Sequence, residues 1–207
     1  MKWSSESLEK FNDTLGSDNP TPGGGAAAAA AASISVALLA MVTALTDAGD
    51  EVKEIDRELA DHLQQSYRLI DEDCRGFERV MEAYRLPARS QEEKQERQAR
   101  IEEALKAASR PPEKLMGLAL EILEAANLVV KNGNRNAWAE TGIAAQFAFS
   151  ALQASYYNVM INICSIDDEG FNREIATESR EKLERGKELK ARLENYLDEE
   201  IIECPYL

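Results

Sequence analysis

Residues 26–46 read AAAAAAASISVALLAMVTALT, a run without a single charge, and it is reached through Asn19-Pro-Thr-Pro-Gly-Gly-Gly25. Two prolines and three consecutive glycines do not belong in a helix interior, whereas alanine is the strongest helix former. The stretch therefore predicts a turn-rich connection followed by one long helix over about Ala26–Thr46. A helix that is apolar on every face has to be covered on every side. A second segment shares the property: from Thr141 to Cys164 no residue carries a charge, inside a helix expected over about Asn136–Ile166. Each rod is about 30 Å long or more at 1.5 Å per residue, and a chain of 207 residues has little left with which to enclose two of them. A second copy related by a twofold axis would supply the missing cover. The expected architecture is all-α, a single domain over 1–207. It is a bundle of about six or seven helices with the two long uncharged ones buried, and it pairs as a homodimer.

A membrane span is the competing reading of residues 26–46, whose length suffices. Alanine and serine give little drive into hydrocarbon, and the residues that follow are Asp47, Asp50 and Glu51 rather than Lys or Arg. That runs against the usual orienting signal, so no membrane partner is expected.

The flanking segments are amphipathic helices. Ser4 or Ser5 is expected to cap a first helix through Leu8 and Phe11 to about Leu15. From about Asp50 to Arg85, Ile70, Cys74, Phe77, Met81 and Tyr84 recur at steps of four and three, one helical stripe, and Pro87 ends it. A highly charged helix follows over about Gln91–Ala108. Ser109, Pro111 and Pro112 open another, which reaches about Val130 and stops at Lys131-Asn-Gly-Asn134. A final helix covers about Glu169–Glu203, with Gly186 as its weak point. No segment reads as a strand.

Acidic side chains number 38 against 24 basic ones, for a formal net charge of −14. That balance excludes general nucleic-acid binding, which needs a basic face, and disfavours docking on anionic lipid. Cys74, Cys164 and Cys204 are odd in number, match no metal spacing and sit in helical apolar patterns, so they read as reduced buried thiols. His62, the only histidine, lies in the polar stretch Ala60-Asp-His-Leu-Gln-Gln65 and reads as a surface residue. With one histidine and no paired cysteines, neither a zinc site nor serine–histidine catalysis is supported. The N-terminus carries no basic segment followed by an apolar core, and the cytoplasm is the expected location.

Four stretches in order carry a family resemblance. The first is Asn19-Pro-Thr-Pro-Gly-Gly-Gly-Ala26 before its alanine-rich helix. The second is Leu69-Ile-Asp-Glu-Asp73 with Phe77, Met81, Ala83 and Arg85-Leu-Pro87. The third is Gly133-Asn-Arg-Asn-Ala137 with Glu140, Gly142 and Ala144-Ala145. The last is Asn158-Val-Met-Ile-Asn162 with Ser165-Ile-Asp167. Over roughly residues 5–175 the chain resembles the cyclodeaminase/cyclohydrolase family, which includes stand-alone bacterial methenyltetrahydrofolate cyclohydrolases and the C-terminal domain of formiminotransferase-cyclodeaminase. The resemblance implies an all-helical homodimer acting on a tetrahydrofolate one-carbon derivative, with no metal or redox cofactor. Three places depart from the family's pattern. A basic run after the alanine-rich helix is replaced by Asp47-Ala-Gly-Asp-Glu51, a common lysine is Met160, and a common aspartate is Glu140.

Each candidate site residue has a structural reading beside the functional one. Gly23-Gly24-Gly25 leads into a helix whose free N–H groups attract anions or polar ring edges, and glycine lets a planar pterin approach the backbone; the alternative, for these and for Pro22, is a tight connection. Asp71 and Asp73 are candidate proton acceptors for the hydrolysis or deamination that the resemblance implies, although Asp71 could simply pair with Arg75 one turn on. Glu140 suits the positive end of a helix, and its family counterpart is also acidic. Asn158 and Asn162 share a face in an apolar segment, where buried amides need partners. Those partners are either a pterin or neighbouring helices. Asn134, in the turn of the third motif, is a further candidate for substrate binding. The expected function is methenyltetrahydrofolate cyclohydrolase. Formiminotetrahydrofolate cyclodeaminase and a non-catalytic dimeric folate-binding protein are the alternatives.

Overall fold

The computed structural model describes residues 2–47 and 50–202, so the residues between 47 and 50 in the acidic stretch, and Cys204, lie outside the described residues. Gly23 is the N-cap of the alanine-rich helix, which begins two residues earlier than expected, at Gly24. The chain forms a 3-10 turn at Trp3–Ser5, then α1 (Leu8–Leu15), α2 (Gly24–Ala44), α3 (Asp50–Tyr84), α4 (Gln91–Ala108) and α5 (Arg110–Asn132). A second 3-10 turn, Arg135–Ala137, leads into α6 (Trp138–Ile163) and α7 (Glu169–Ile202). Among the described residues there is no strand, and the all-α expectation holds.

The centre of the bundle is the pair α2 and α6. They run antiparallel, because Ser35 of α2 donates its hydroxyl to the Ala144 carbonyl (2.7 Å) while Asn134, just before α6, donates its side-chain amide to the Leu45 carbonyl at the end of α2 (2.9 Å). Small residues bring the two rods together: Ala28, Ala29 and Ala32 on one side and Ala144, Ala148 and Ala151 on the other are all buried. Around this pair α3 packs on α2, and α5 and α7 on α6. By length and composition α2 could cross a membrane, yet half of it is covered by the rest of the chain.

Some local details differ from expectation. Ser7, not Ser4 or Ser5, caps α1, its hydroxyl oxygen accepting from the Lys10 N–H (3.1 Å). The reason is that Ser4 is engaged elsewhere, as described below. On α3 the stripe splits: Ile70 and Cys74 enter the core, but Phe77 and Tyr84 are exposed and Val80 and Ala83 take the inward positions. His62 is not a plain surface residue, since its Nε2 lies 3.1 Å from a Glu121 carboxylate oxygen and its ring is largely covered. Gly186 is a point of close approach: a Cβ there would stand 2.0 Å from Leu152 Cδ2. Finally, neither uncharged helix is covered all round within one chain. Ile34 and Met41 of α2, Leu45 at its C-cap, and Ile143, Phe147, Tyr157 and Ile161 of α6 remain exposed.

Candidate functional site

At the end of the bundle where α2 begins and α6 finishes, a cleft of about 340 Å³ opens between α2, α3, α4 and α6. Its floor is the helix entrance, with Pro20, Thr21 and Gly23–Gly25. One wall is α3, with Asp73, Phe77 and Val80; the opposite wall is α6, with Asn158, Ile161 and Asn162; Leu105 and Ala108 of α4 close the back. Positions 73, 77 and 80 share one face of α3 because they are spaced by four and three residues. The same spacing places 158, 161 and 162 on one face of α6.

Asp73 is the ionisable group of this cleft. Its carboxylate faces the start of α2, where the Ala26 backbone N–H favours the ionised form, but burial outweighs this and pushes its pKa up to about 6. It sits so close to α2 that a Cβ on Gly25 would lie 2.0 Å from Asp73 Oδ1 and 2.5 Å from Cγ. Only glycine at position 25 allows this approach. A Cβ on Gly24 would meet nothing within 4 Å, so that glycine borders open space. The neighbouring Cys74 thiol is held neutral, its pKa pushed up to about 12 first by burial and then by the Asp73 charge.

The two asparagines are tied by their nitrogens. Asn158 donates to the Ala154 carbonyl (2.9 Å) and Asn162 to the Ala108 carbonyl across on α4 (3.3 Å). Their carbonyl oxygens are the groups left for a ligand. Together with the Asp73 carboxylate they give the cleft side-chain acceptors, next to the exposed ring of Phe77.

The other candidates lie elsewhere. Asp71 is buried two residues from Asp73 on a different face of α3. It accepts from the Ser4 N–H (3.2 Å) and the Ser4 hydroxyl (2.8 Å), holding the N-terminal 3-10 turn against the bundle. Arg75 does not pair with that carboxylate; its Nε donates to the Asp71 backbone carbonyl (3.0 Å). Asn134 stitches the α5–α6 turn to the far end of α2, receiving the Asn136 N–H on its own side-chain oxygen (3.0 Å). Pro22 is buried beside the cleft rather than lining it. Glu140 is in the first turn of α6, about 27 Å from Asn158 along the helix. Within one chain, then, the cleft assembles Gly23, Gly24, Gly25, Asp73, Asn158 and Asn162, and leaves out Pro22, Asp71, Asn134 and Glu140. Phe77 and Ile161 line the cleft; from sequence they were named as motif residues but not as site candidates. Leu105 and Ala108 sit on a helix whose sequence shows mainly charge.

The family model described as formiminotransferase-cyclodeaminase matches residues 7–181. The chain belongs to that family. The methenyltetrahydrofolate cyclohydrolase of Methylorubrum extorquens is 35% identical over 176 residues, which cover 82% of this chain and 85% of that protein. The formimidoyltransferase-cyclodeaminase of Gallus gallus is 29% identical over 87% of this chain but only 35% of its own length, so this family member spans about a third of that longer protein. Among solved structures, the formiminotetrahydrofolate cyclodeaminase of Thermotoga maritima superposes with a TM-score of 0.85 at 25% identity, covering 95% of this chain and 98% of that one. Membership accounts for the order of the four motifs. Three of them meet at the cleft, the second through Asp73 and Phe77, whereas Asn134 and Glu140 of the third lie at the opposite end of α6.

Proposed function

We propose that this family member hydrolyses the one-carbon bridge of 5,10-methenyltetrahydrofolate, giving 10-formyltetrahydrofolate, the activity named for its Methylorubrum relative. The observation that carries the reading is Asp73: a carboxylate with its pKa at about 6, set in a cleft beside two amide oxygens and an aromatic ring. The bridge carbon of the substrate lies in a cationic amidinium. Water adds to that carbon, and the Asp73 carboxylate takes the proton as the new C–O bond forms. The bond from the bridge carbon to N5 then breaks, N5 keeps the electron pair and takes the hydroxyl proton of the adduct, and the C=O so formed leaves the formyl group on N10. The amidinium charge is lost overall as one proton, the one that Asp73 took from water and passes to solvent. Phe77 offers a flat wall for the pterin, and the glycine entrance lets that ring lie close to the backbone.

A second reading, cyclodeamination of 5-formiminotetrahydrofolate, is favoured by the overall match to the Thermotoga enzyme. There N10 attacks the formimino carbon and ammonia departs, with the same carboxyl group handling the proton. Neither reaction changes an oxidation state, so the proposal includes no redox cofactor; it includes no metal either, the carboxylate taking the proton from water. Following the absorbance of methenyltetrahydrofolate with purified protein against buffer, and ammonia release from the formimino substrate in parallel, tests both. Acceleration of the first supports the cyclohydrolase, acceleration of the second alone supports the cyclodeaminase, and acceleration of neither rejects catalysis.

The proposal also includes a cytoplasmic homodimer. Support for the homodimer is the exposure of Ile34 and Met41 on α2, of Leu45 at its C-cap, and of Ile143, Phe147, Tyr157 and Ile161 on α6. Exposed large apolar side chains on the two central helices mark a contact surface.

A further inference from the structure

We infer that the cleft is completed by a second copy of the chain, with the partner subunit's Glu140 standing at its open side. The inference rests on the folate reading of the cleft given above.

The exposed stripe of α6 has an internal symmetry. Ile143, Phe147 and Ser150 are followed by Ala154, Tyr157 and Ile161, all partly or fully exposed, large at both ends and small in the middle. The stripe is symmetric about the level of Leu152. An antiparallel copy of α6 turned about a twofold axis at that level sets Ile143 against Ile161, Phe147 against Tyr157 and Ser150 against Ala154. An isologous contact of this kind is what a homodimer uses, and with no charge from Thr141 to Cys164 it meets no electrostatic cost.

Glu140 then follows from helix geometry. It and Asn158 are eighteen residues apart in the sequence, which is five whole turns at 3.6 residues per turn, so both project from the same flank of α6. A twofold axis perpendicular to the helix reverses its direction but keeps that flank on the same side. The partner subunit's Glu140 therefore arrives at the level of Cys164, within one turn of Asn162 and on the side where Asn158 faces the cleft. Ile161, 69% exposed on the stripe, also lines the cleft, so the contact surface and the mouth of the cleft are continuous. In its own chain Glu140 is half-buried and has no hydrogen-bond or ion-pair partner among the described residues. At the cleft it would supply a second negative charge facing the cationic bridge of the substrate, opposite Asp73.

The test is complementation between two defective variants. Asp73→Asn and Glu140→Gln, each dimeric by sedimentation, are expected to lose about a hundredfold or more in kcat/KM. A co-refolded equal mixture should recover about a quarter of wild-type activity, because half of the dimers are mixed and each mixed dimer holds one intact site. If Glu140 served its own chain's cleft, every site in the mixture would remain defective, and absence of recovery overturns the proposal. A Glu140→Gln protein as active as wild type overturns it equally. Geometry is read separately from turnover. In a Cys164→Ser background, Ile143→Cys with Ile161→Cys in one chain should oxidise to a covalent dimer, whereas either cysteine alone should not. Failure of the paired variant to cross-link rejects the register even if wild-type protein shows no folate activity, an outcome that would instead remove the proposed function.

Discussion

Between Gly25 and Asp73 there is no room for a methyl group, since the added carbon would lie 2.0 Å from a carboxylate oxygen. Gly25→Ala is therefore expected to push Asp73 out of place and to cost at least a hundredfold in kcat/KM, read by steady-state kinetics. Gly24→Ala, whose Cβ meets nothing, should fold like wild type and alter KM rather than kcat. Asp73 itself links activity to pH. Burial raises its pKa from 3.8 to about 6, so the folded chain holds this proton more tightly than the unfolded one. The sign is that of a destabilising ionised carboxylate. The cost is absent below about pH 4, grows as pH rises toward 6, and amounts above that to about 3 kcal/mol at most. Asp73→Asn should accordingly raise the thermal midpoint at pH 7.5 and not at pH 4. It should also lower kcat/KM by about a thousandfold and abolish the acid limb near pH 6 in the rate profile. A lower midpoint at pH 7.5 would contradict this account of the buried carboxylate.

Asp71 shows how two similar residues on one helix are given different work by the elements they face. Its carboxylate anchors the 3-10 turn at Trp3–Ser5 through Ser4, next to the edge-to-face contact of Trp3 with Phe11 (6.4 Å between ring centroids). Asp71→Ala should lower stability by about 1–3 kcal/mol in urea titration, while the folded fraction keeps its turnover. Where α7 crosses α6, Gly186 receives Leu152. Gly186→Ala should cost about 1–3 kcal/mol, and pairing it with Leu152→Ala should cost less than the sum of the single changes. The existence and order of the helices were legible because hydrophobic spacing, prolines and glycines mark them locally. The separate duties of Asp71 and Asp73 were not, since both depend on which distant segment, Ser4 or Gly25, packs against each face of α3. Ser4 was read as a helix cap for the same reason: its partner is 67 positions away.

For the whole molecule, absence of charge on α2 and on α6 from Thr141 onward announced that both belong inside something, but did not say how much of that interior one chain provides. The cover is divided. Alanine faces meet within the chain, and the side carrying Ile34, Phe147 and Ile161 is left open. Phe147→Glu should therefore yield a monomer in analytical ultracentrifugation with helical content unchanged. The acceptor groups along the cleft have a further effect on turnover. Addition of water converts the positively charged bridge into an uncharged formyl group, so the cleft's attraction for that part of the reactant is gone once the reaction is done. The cleft would hold its product less tightly than its substrate, and 10-formyltetrahydrofolate should inhibit only at concentrations well above the substrate KM.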